Sequence, residues 1–438
     1  MAGPWIVVGA GTAGCVVAAR LSEDPDRHVM LLESGPDLAE GAVPPEIDAD
    51  SFFGAADLPD RNDGGVQATR TAGGAVRPYR RGRGLGGSSV VNAMVALRGD
   101  SNLYRSWGWD DVDAAWSAMT LPEELPNESD LGPIDRALMA AAADARRVPL
   151  TRRDGRRITS AEAYLWPART RPNLAVRVDV TVERVVLDGR RAVGVVLSTG
   201  EEISAERVVL SAGAIRTPAL LLRSGFDTPG IGRCLQDHPS APLTLALRDG
   251  VPADPAGLVI GTFCQRNGVQ FLPMNHLGAD APHLGMMLVT LLAPRSRSGT
   301  VRLDPLGEPL VDFALLADPG DLRALGKGVA EAVSMLATAP FAEVVDQVYV
   351  DDSGTTIDAL GDVASIERWL PTALGDCLHA SGSCAMGSVV DADGALVGYE
   401  SVYICDASVF PSIPDANTHL PTTMLAERLT ARWCRRHP

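Results

Sequence analysis

Three glycines and one glutamate stand at a spacing that could hold a dinucleotide. They lie in Trp5-Ile6-Val7-Val8-Gly9-Ala10-Gly11-Thr12-Ala13-Gly14, with Glu33 closing the next apolar run, His28-Val29-Met30-Leu31-Leu32. Gly9 permits the tight turn, Gly11 lets a pyrophosphate approach the backbone, and Gly14 lets the following helix pack on the strand. The helix N-terminus, at Thr12 and Ala13, offers free N–H groups to that pyrophosphate. Glu33 lies about 20 residues further on, where a carboxylate accepts hydrogen bonds from a ribose diol. A plain strand–helix turn is the alternative. The full context of strand, turn, helix, strand and acid points to a dinucleotide instead, without separating FAD from NAD.

The elements that must position these residues read as an α/β fold with α+β parts. Trp5–Val8 and Arg207-Val208-Val209-Leu210 are apolar runs of buried parallel strands, the second ending in the small-residue turn Ser211-Ala212-Gly213. A second wall for the cofactor is expected from Arg83, Gly84, Gly87, Ser88, Asn92 and Met94, where glycines flatten the backbone and hydroxyl and amide groups supply donors. The runs 175–178, 182–187 and 192–197, parted by Asp188-Gly189 and Thr199-Gly200, read as antiparallel hairpins. Alternation at Leu243–Leu247 and Leu284–Leu292 suggests a sheet, and 321–339 an amphipathic helix. A helix is also expected over 133–148. Residues 34–80 read as a loop, either over a site or mobile at the surface, with an exposed pair Phe52-Phe53.

Gly82-Arg83-Gly84-Leu85-Gly86-Gly87-Ser88-Ser89 with Asn92 resembles the first signature of the glucose–methanol–choline (GMC) family of FAD-dependent oxidoreductases. Ile215–Gly225, Gly230–Pro239, Cys377–Gly387 and Ile413–Met424 resemble later blocks of the same family. Phe226-Asp227 and Ala380 depart from its usual residues. The resemblance implies a Rossmann-like FAD-binding domain from 1–100, 160–238 and 377–438, with an inserted antiparallel-sheet substrate domain from 101–159 and 239–376. It implies that Val182 contacts the adenine through its backbone. Asp406 would meet the ribityl or pyrophosphate groups, and Ala407, Pro421 and Thr422 would also stand at the cofactor. A helix N-cap is the other reading of Asp406, and core packing that of Val182. Some members link FAD through a histidine just before the asparagine; Val91 stands there, so non-covalent FAD is expected.

By the same resemblance the catalytic pair is His379 and His419, aligned on Pro421-Thr422-Thr423-Met424. The chemistry explains such a choice. Oxidising an alcohol removes a hydroxyl proton while hydride leaves carbon for flavin N5. A neutral imidazole can accept that proton near working pH, and a second donor steadies the developing alkoxide. Either histidine could be the base, with His379 preferred. His238 reads as structural.

The expected activity is oxidation of a CH–OH group, with a dehydrogenase ahead of an oxidase. Expected partners are a small alcohol or reduced redox carrier and an acceptor such as oxygen, a quinone or a respiratory component. The shortened insert resembles short bacterial members, some of them associated with mycofactocin. A hydroxynitrile-lyase-like enzyme, an idle flavin-binding protein and an NAD-dependent dehydrogenase are the alternatives.

Composition narrows the classes. A net charge of −16 opposes nucleic acid or an anionic membrane surface as partner. No apolar stretch is long enough for a transmembrane span. The early first strand leaves no room for a cleavable signal. Seven cysteines without CxxC spacing fit a reducing cytoplasm, peripheral membrane contact staying open. With no HExxH and no clustered Cys/His set, no metal is expected.

Overall fold

The computed structural model describes residues 3–437. A five-stranded parallel sheet runs in the order Val402–Ile404, Arg207–Leu210, Trp5–Val8, Val29–Leu32, Leu174–Arg177. Its first strand is buried throughout, as a parallel strand covered on both faces must be. Helix Thr12–Leu21 packs against the last helix, His419–Arg436. The register aligns Val8 with both Leu32 and Leu210. Gly9, Glu33, Ser211 and Asp406 therefore emerge together at the carboxyl edge, where open α/β sheets bind ligands.

Leu174–Arg177 does not join a hairpin, contrary to expectation. The Asn173 side-chain amide donates to the carbonyls of Ser22, Asp24 and Arg27, at 3.1, 2.8 and 3.0 Å. That clamp aligns the strand beside Val29–Leu32 instead. Val182–Asp188, Arg191–Leu197 and Glu202–Ser204 do form an antiparallel sheet.

The second layer is a six-stranded sheet in the order Val345–Tyr349, Ser240–Leu247, Leu284–Leu291, Val269–Met274, Thr262–Arg266, Arg146–Arg147. Its neighbours are antiparallel, and helices Pro319–Leu336 and Val363–Ala373 pack on it. The long helix begins earlier than its apolar pattern because Asp318 caps it, accepting from Gly320 N at 2.6 Å. Gln67–Thr69 and Arg77–Pro78 extend a smaller sheet containing Gly299–Leu303 and Pro309–Asp312.

The helix expected over 133–148 stops at Ala141. Buried Asp135 accepts from Thr262 Oγ1 at 2.6 Å and Gly261 N at 3.1 Å, tying the helix to the sheet edge. Arg146–Arg147 then pairs with Thr262 and Phe263, so sheet pairing overrides the helix propensity of the alanines. Residues 34–80 hold two short helices, Pro45–Asp48 and Phe52–Asp57. Phe52 and Phe53 are not free at the surface. Their rings stack at 4.5 Å and both are partly buried. Among the described residues no helix is long and apolar enough to cross a membrane, and no group of three or more metal-ligating side chains gathers.

Candidate active site

One cavity of about 750 Å³ runs from the Gly9 turn to both candidate histidines and on to the inner face of the six-stranded sheet. At the nucleotide end the glycines are held by close packing. A Cβ on Gly14 would lie 1.8 Å from Gly9 O, and one on Gly87 2.6 Å from Gly11 Cα. A Cβ on Gly11 would meet nothing within 4 Å. That gap lies at the start of helix Thr12–Leu21, where no side chain caps the free N–H groups. An open, uncapped N-terminus suits a pyrophosphate.

Glu33 ties the first wall to the second. Its carboxylate accepts from Ala10 N at 2.7 Å, Gly35 N at 2.9 Å and Gly84 N at 3.0 Å. Among the described residues Oε2 accepts only from Ala10, which leaves it a lone pair for a donor in the cavity. Asp406 accepts from Gly213 N at 2.9 Å, Thr217 Oγ1 at 2.6 Å and Ser408 N at 2.8 Å. It thus caps the turn Ala407–Val409 and also lines the cavity, and burial pushes its carboxyl above the ordinary value.

Of the residues expected at a cofactor, Gly9, Gly11, Thr12, Ala13, Glu33, Arg83, Gly87, Ser88, Asn92, Val182, Ala212, Gly213, Asp406, Ala407 and Thr422 line this cavity. Gly14, Gly84, Met94 and Pro421 stand behind it. Gly14 packs on Gly9, and Gly84 gives its N–H to Glu33. Met94 is buried with a φ of 61°, its N–H held by Asn92 Oδ1 at 3.0 Å. Pro421 is buried in the last helix.

The two histidines differ in what binds them. Asn92 Oδ1 accepts from Met94 N and from Arg157 Nη1 at 2.9 Å, so its Nδ2 is the end that donates to His419 Nδ1 at 3.3 Å. His419 Nε2 must then carry its proton, which goes to Ser160 Oγ at 3.1 Å. Both nitrogens of His419 are engaged within the protein. Burial first, then Arg157, holds its pKa down at about 4. Arg157 is itself buried, and burial lowers its guanidinium to about 10.

His379 is partly exposed along the cavity wall and enclosed by protein elsewhere. Its Nδ1 lies 2.9 Å from His238 Nδ1. His238 Nε2 lies 2.9 Å from Pro414 O, which can only accept. The proton of His238 is therefore on Nε2, and burial lowers its pKa to about 4, so the ring is neutral. Its bare Nδ1 must accept, and His379 Nδ1 must donate. Neutral His379 then has a lone pair on Nε2. Asp237 Oδ1 fixes both residues through their backbone N–H groups, at 2.7 Å for His238 and 3.0 Å for His379. Asp237 Oδ2 accepts from Tyr79 Oη at 2.6 Å. Leu378, just before the histidine, has a φ of 60°, a costly conformation for leucine.

Sequence reasoning missed several of these groups. His238 is 141 residues from His379, so no spacing announces the contact. Arg157 stands in a stretch without a motif, and nothing in the sequence marks the Ser160 hydroxyl. Asn417 lines the cavity with a buried Oδ1 lacking a partner among the described residues. Gln270 interrupts an apolar strand, which was the available signal.

Residues 5–124 and 143–240 match the N-terminal part of the GMC oxidoreductase family, and 294–426 its C-terminal part. An uncharacterized GMC-type oxidoreductase of Rhodococcus erythropolis is 32% identical, with 98% of this chain and 97% of the relative covered. The 5-(hydroxymethyl)furfural oxidase of Methylovorus sp. is 31% identical, with 97% of each covered. The crystal structure of pyridoxine 4-oxidase from Mesorbium loti superposes with a TM-score of 0.89 at 25% identity, covering 99% of this chain and 100% of that one. With matched parts at both ends and full-length relatives, the chain belongs to the GMC oxidoreductase family.

Proposed function

We propose that the protein is an FAD-dependent oxidoreductase that oxidises a CH–OH group to a carbonyl, with His379 as the base. The observation that carries this reading is the bare Nε2 of His379, held by the His238–Pro414 chain at the cavity wall. The open Gly11 cradle, the spare lone pair of Glu33 and the uncapped helix start support FAD as the occupant. Val91 at the cavity wall supports non-covalent binding, because it offers no nucleophile. The relatives named for hydroxymethylfurfural and pyridoxine, both CH–OH compounds, point the same way.

Bound FAD would supply the hydride acceptor. His379 Nε2 would take the hydroxyl proton, and the Nδ1–H bond to His238 would orient the ring as its charge develops. Asn92 and His419, pinned by Arg157 and Ser160, would shape the opposite wall. Seven free thiols, which stay reduced in a reducing compartment, support a cytoplasmic setting.

The test is anaerobic. Purified holoenzyme is mixed with alcohols while the flavin band at about 450 nm is followed. Bleaching by one alcohol class, absent in a His379→Ala variant that retains FAD, is expected. Air and then a quinone, added to the bleached enzyme, separate oxidase from dehydrogenase. A yellow protein that no alcohol bleaches refutes the proposal and favours a lyase. Release of all the flavin on denaturation is expected, and retained flavin would refute non-covalent binding.

A further inference from the structure

Strand Val269–Met274 presents alternate residues to the cavity. Gln270, Leu272 and Met274 line it, while Val269 and Phe271 point into the core on the other face. Leu288 from the next strand and the stacked Phe52 and Phe53 also line it. This end is an apolar chamber with one amide in its wall.

Among the described residues that amide has no partner for its nitrogen. Gln270 is 2% exposed, and its Nε2 is buried without a hydrogen bond among the described residues. The cross-strand neighbour Thr290 lies with its Oγ1 3.4 Å from Cys377 Sγ instead. A buried amide donor left unpaired is unfavourable, and such exceptions in native proteins commonly mark a function. Asp376, beside Cys377, forms an ion pair with Arg70 at 2.5 Å, and both are largely buried. The chamber therefore offers a substrate apolar walls and an amide, with no free carboxylate at Asp376 for a cation.

Resting on the alcohol-oxidising reading above, we infer that Gln270 is a specificity-determining residue. It selects an uncharged alcohol that is mostly apolar and carries one neutral hydrogen-bonding group away from the reacting carbon. The amide can donate from Nε2 or accept at Oε1, so a hydroxyl or a carbonyl satisfies it. Leu272, Met274 and the two phenylalanines cover the rest of such a molecule.

The test compares 3- and 4-hydroxybenzyl alcohol with 3- and 4-methylbenzyl alcohol, using the anaerobic holoenzyme and flavin reduction as the readout. The matching aldehydes are titrated into the oxidised holoenzyme, and binding is read from the flavin spectrum. Wild type should favour the hydroxyl compound about tenfold in at least one positional series, in both readouts. Gln270→Met, of similar length and without hydrogen-bonding groups, should reduce that preference to about twofold or less. Equal treatment of hydroxyl and methyl compounds by wild type overturns the inference. So does an undiminished preference in the variant. If Gln270→Met fails to retain FAD, the wild-type aldehyde titration decides. Absence of bleaching by all four alcohols overturns the alcohol reading, whereas bleaching without selectivity overturns the Gln270 assignment alone.

Discussion

Replacing His238 with phenylalanine keeps a ring of similar shape and removes both hydrogen-bonding atoms. His379 Nδ1–H then loses its acceptor at 2.9 Å. A buried donor left unpaired costs about 1–3 kcal/mol. His379 can avoid that cost by moving its proton to Nε2, which lies at the cavity. The lone pair then sits on Nδ1, turned away from any substrate. The productive tautomer is depleted by the same free energy, roughly 5- to 150-fold at 1.36 kcal/mol per factor of ten. The fall should appear in kcat/KM for flavin reduction under anaerobic conditions, with FAD content unchanged. His238→Gln is the informative partner. An amide also carries an acceptor beside a donor, so it can accept from His379 and donate to Pro414 O. It should recover most of the lost rate. Wild-type kcat/KM in the FAD-loaded phenylalanine variant would refute the tautomer argument. Equal impairment of both variants would refute it too, leaving His238 as packing alone.

Three further outcomes follow from the geometry of the cavity. Burial, reinforced by His238 and Arg81, holds His379 well below 6.5, and a base is active only when unprotonated. Activity is therefore fully present above pH 6.5 and lost as pH falls through the lowered pKa, with the loss complete once His238 also protonates near pH 4. An acid limb of the kcat/KM profile centred at or above 6.5 would contradict this. Gly11→Ala should leave the FAD-free fold intact, since Gly11 has a φ of −72° and the new methyl meets no protein atom within 4 Å. The methyl occupies the space a pyrophosphate would use, so equilibrium titration should show FAD affinity at least about tenfold weaker. Gly87→Ala, whose methyl would strike Gly11 Cα, should lower both stability and FAD content. Unchanged FAD affinity in Gly11→Ala would remove the cradle from the nucleotide site.

Much of the nucleotide end was determined by sequence alone, because its geometry is local. Gly9, Gly11 and Gly14 sit within one strand–turn–helix, and Gly14 packs on Gly9 O five residues away, although Gly9 itself closes on distant Ser211. The buried parallel strands were readable for a similar reason: a strand covered on both faces needs an unbroken apolar run, as Trp5–Val8 has and as Val208, Val209 and Leu210 supply after Arg207. Periodicity also located Ser240–Leu247 and Leu284–Leu291, which pair directly.

Tertiary structure decided what depends on partners far along the chain. Leu174–Arg177 could pair in a hairpin or on a parallel edge, and only the Asn173 clamp on the 22–27 turn selects the edge. The alanines after 141 favour helix, yet the edge of a distant sheet draws Arg146–Arg147 into pairing. The histidines show the same division. Sequence could single out His379 and His419 among seven histidines only through the family blocks they sit in. Which nitrogen carries a proton is set by the atom opposite it. For His379 that atom belongs to His238 and, beyond it, to Pro414; for His419 it belongs to Asn92 and Ser160. A tautomer is a property of contacts in space, and these are made by residues 141 to 327 positions apart.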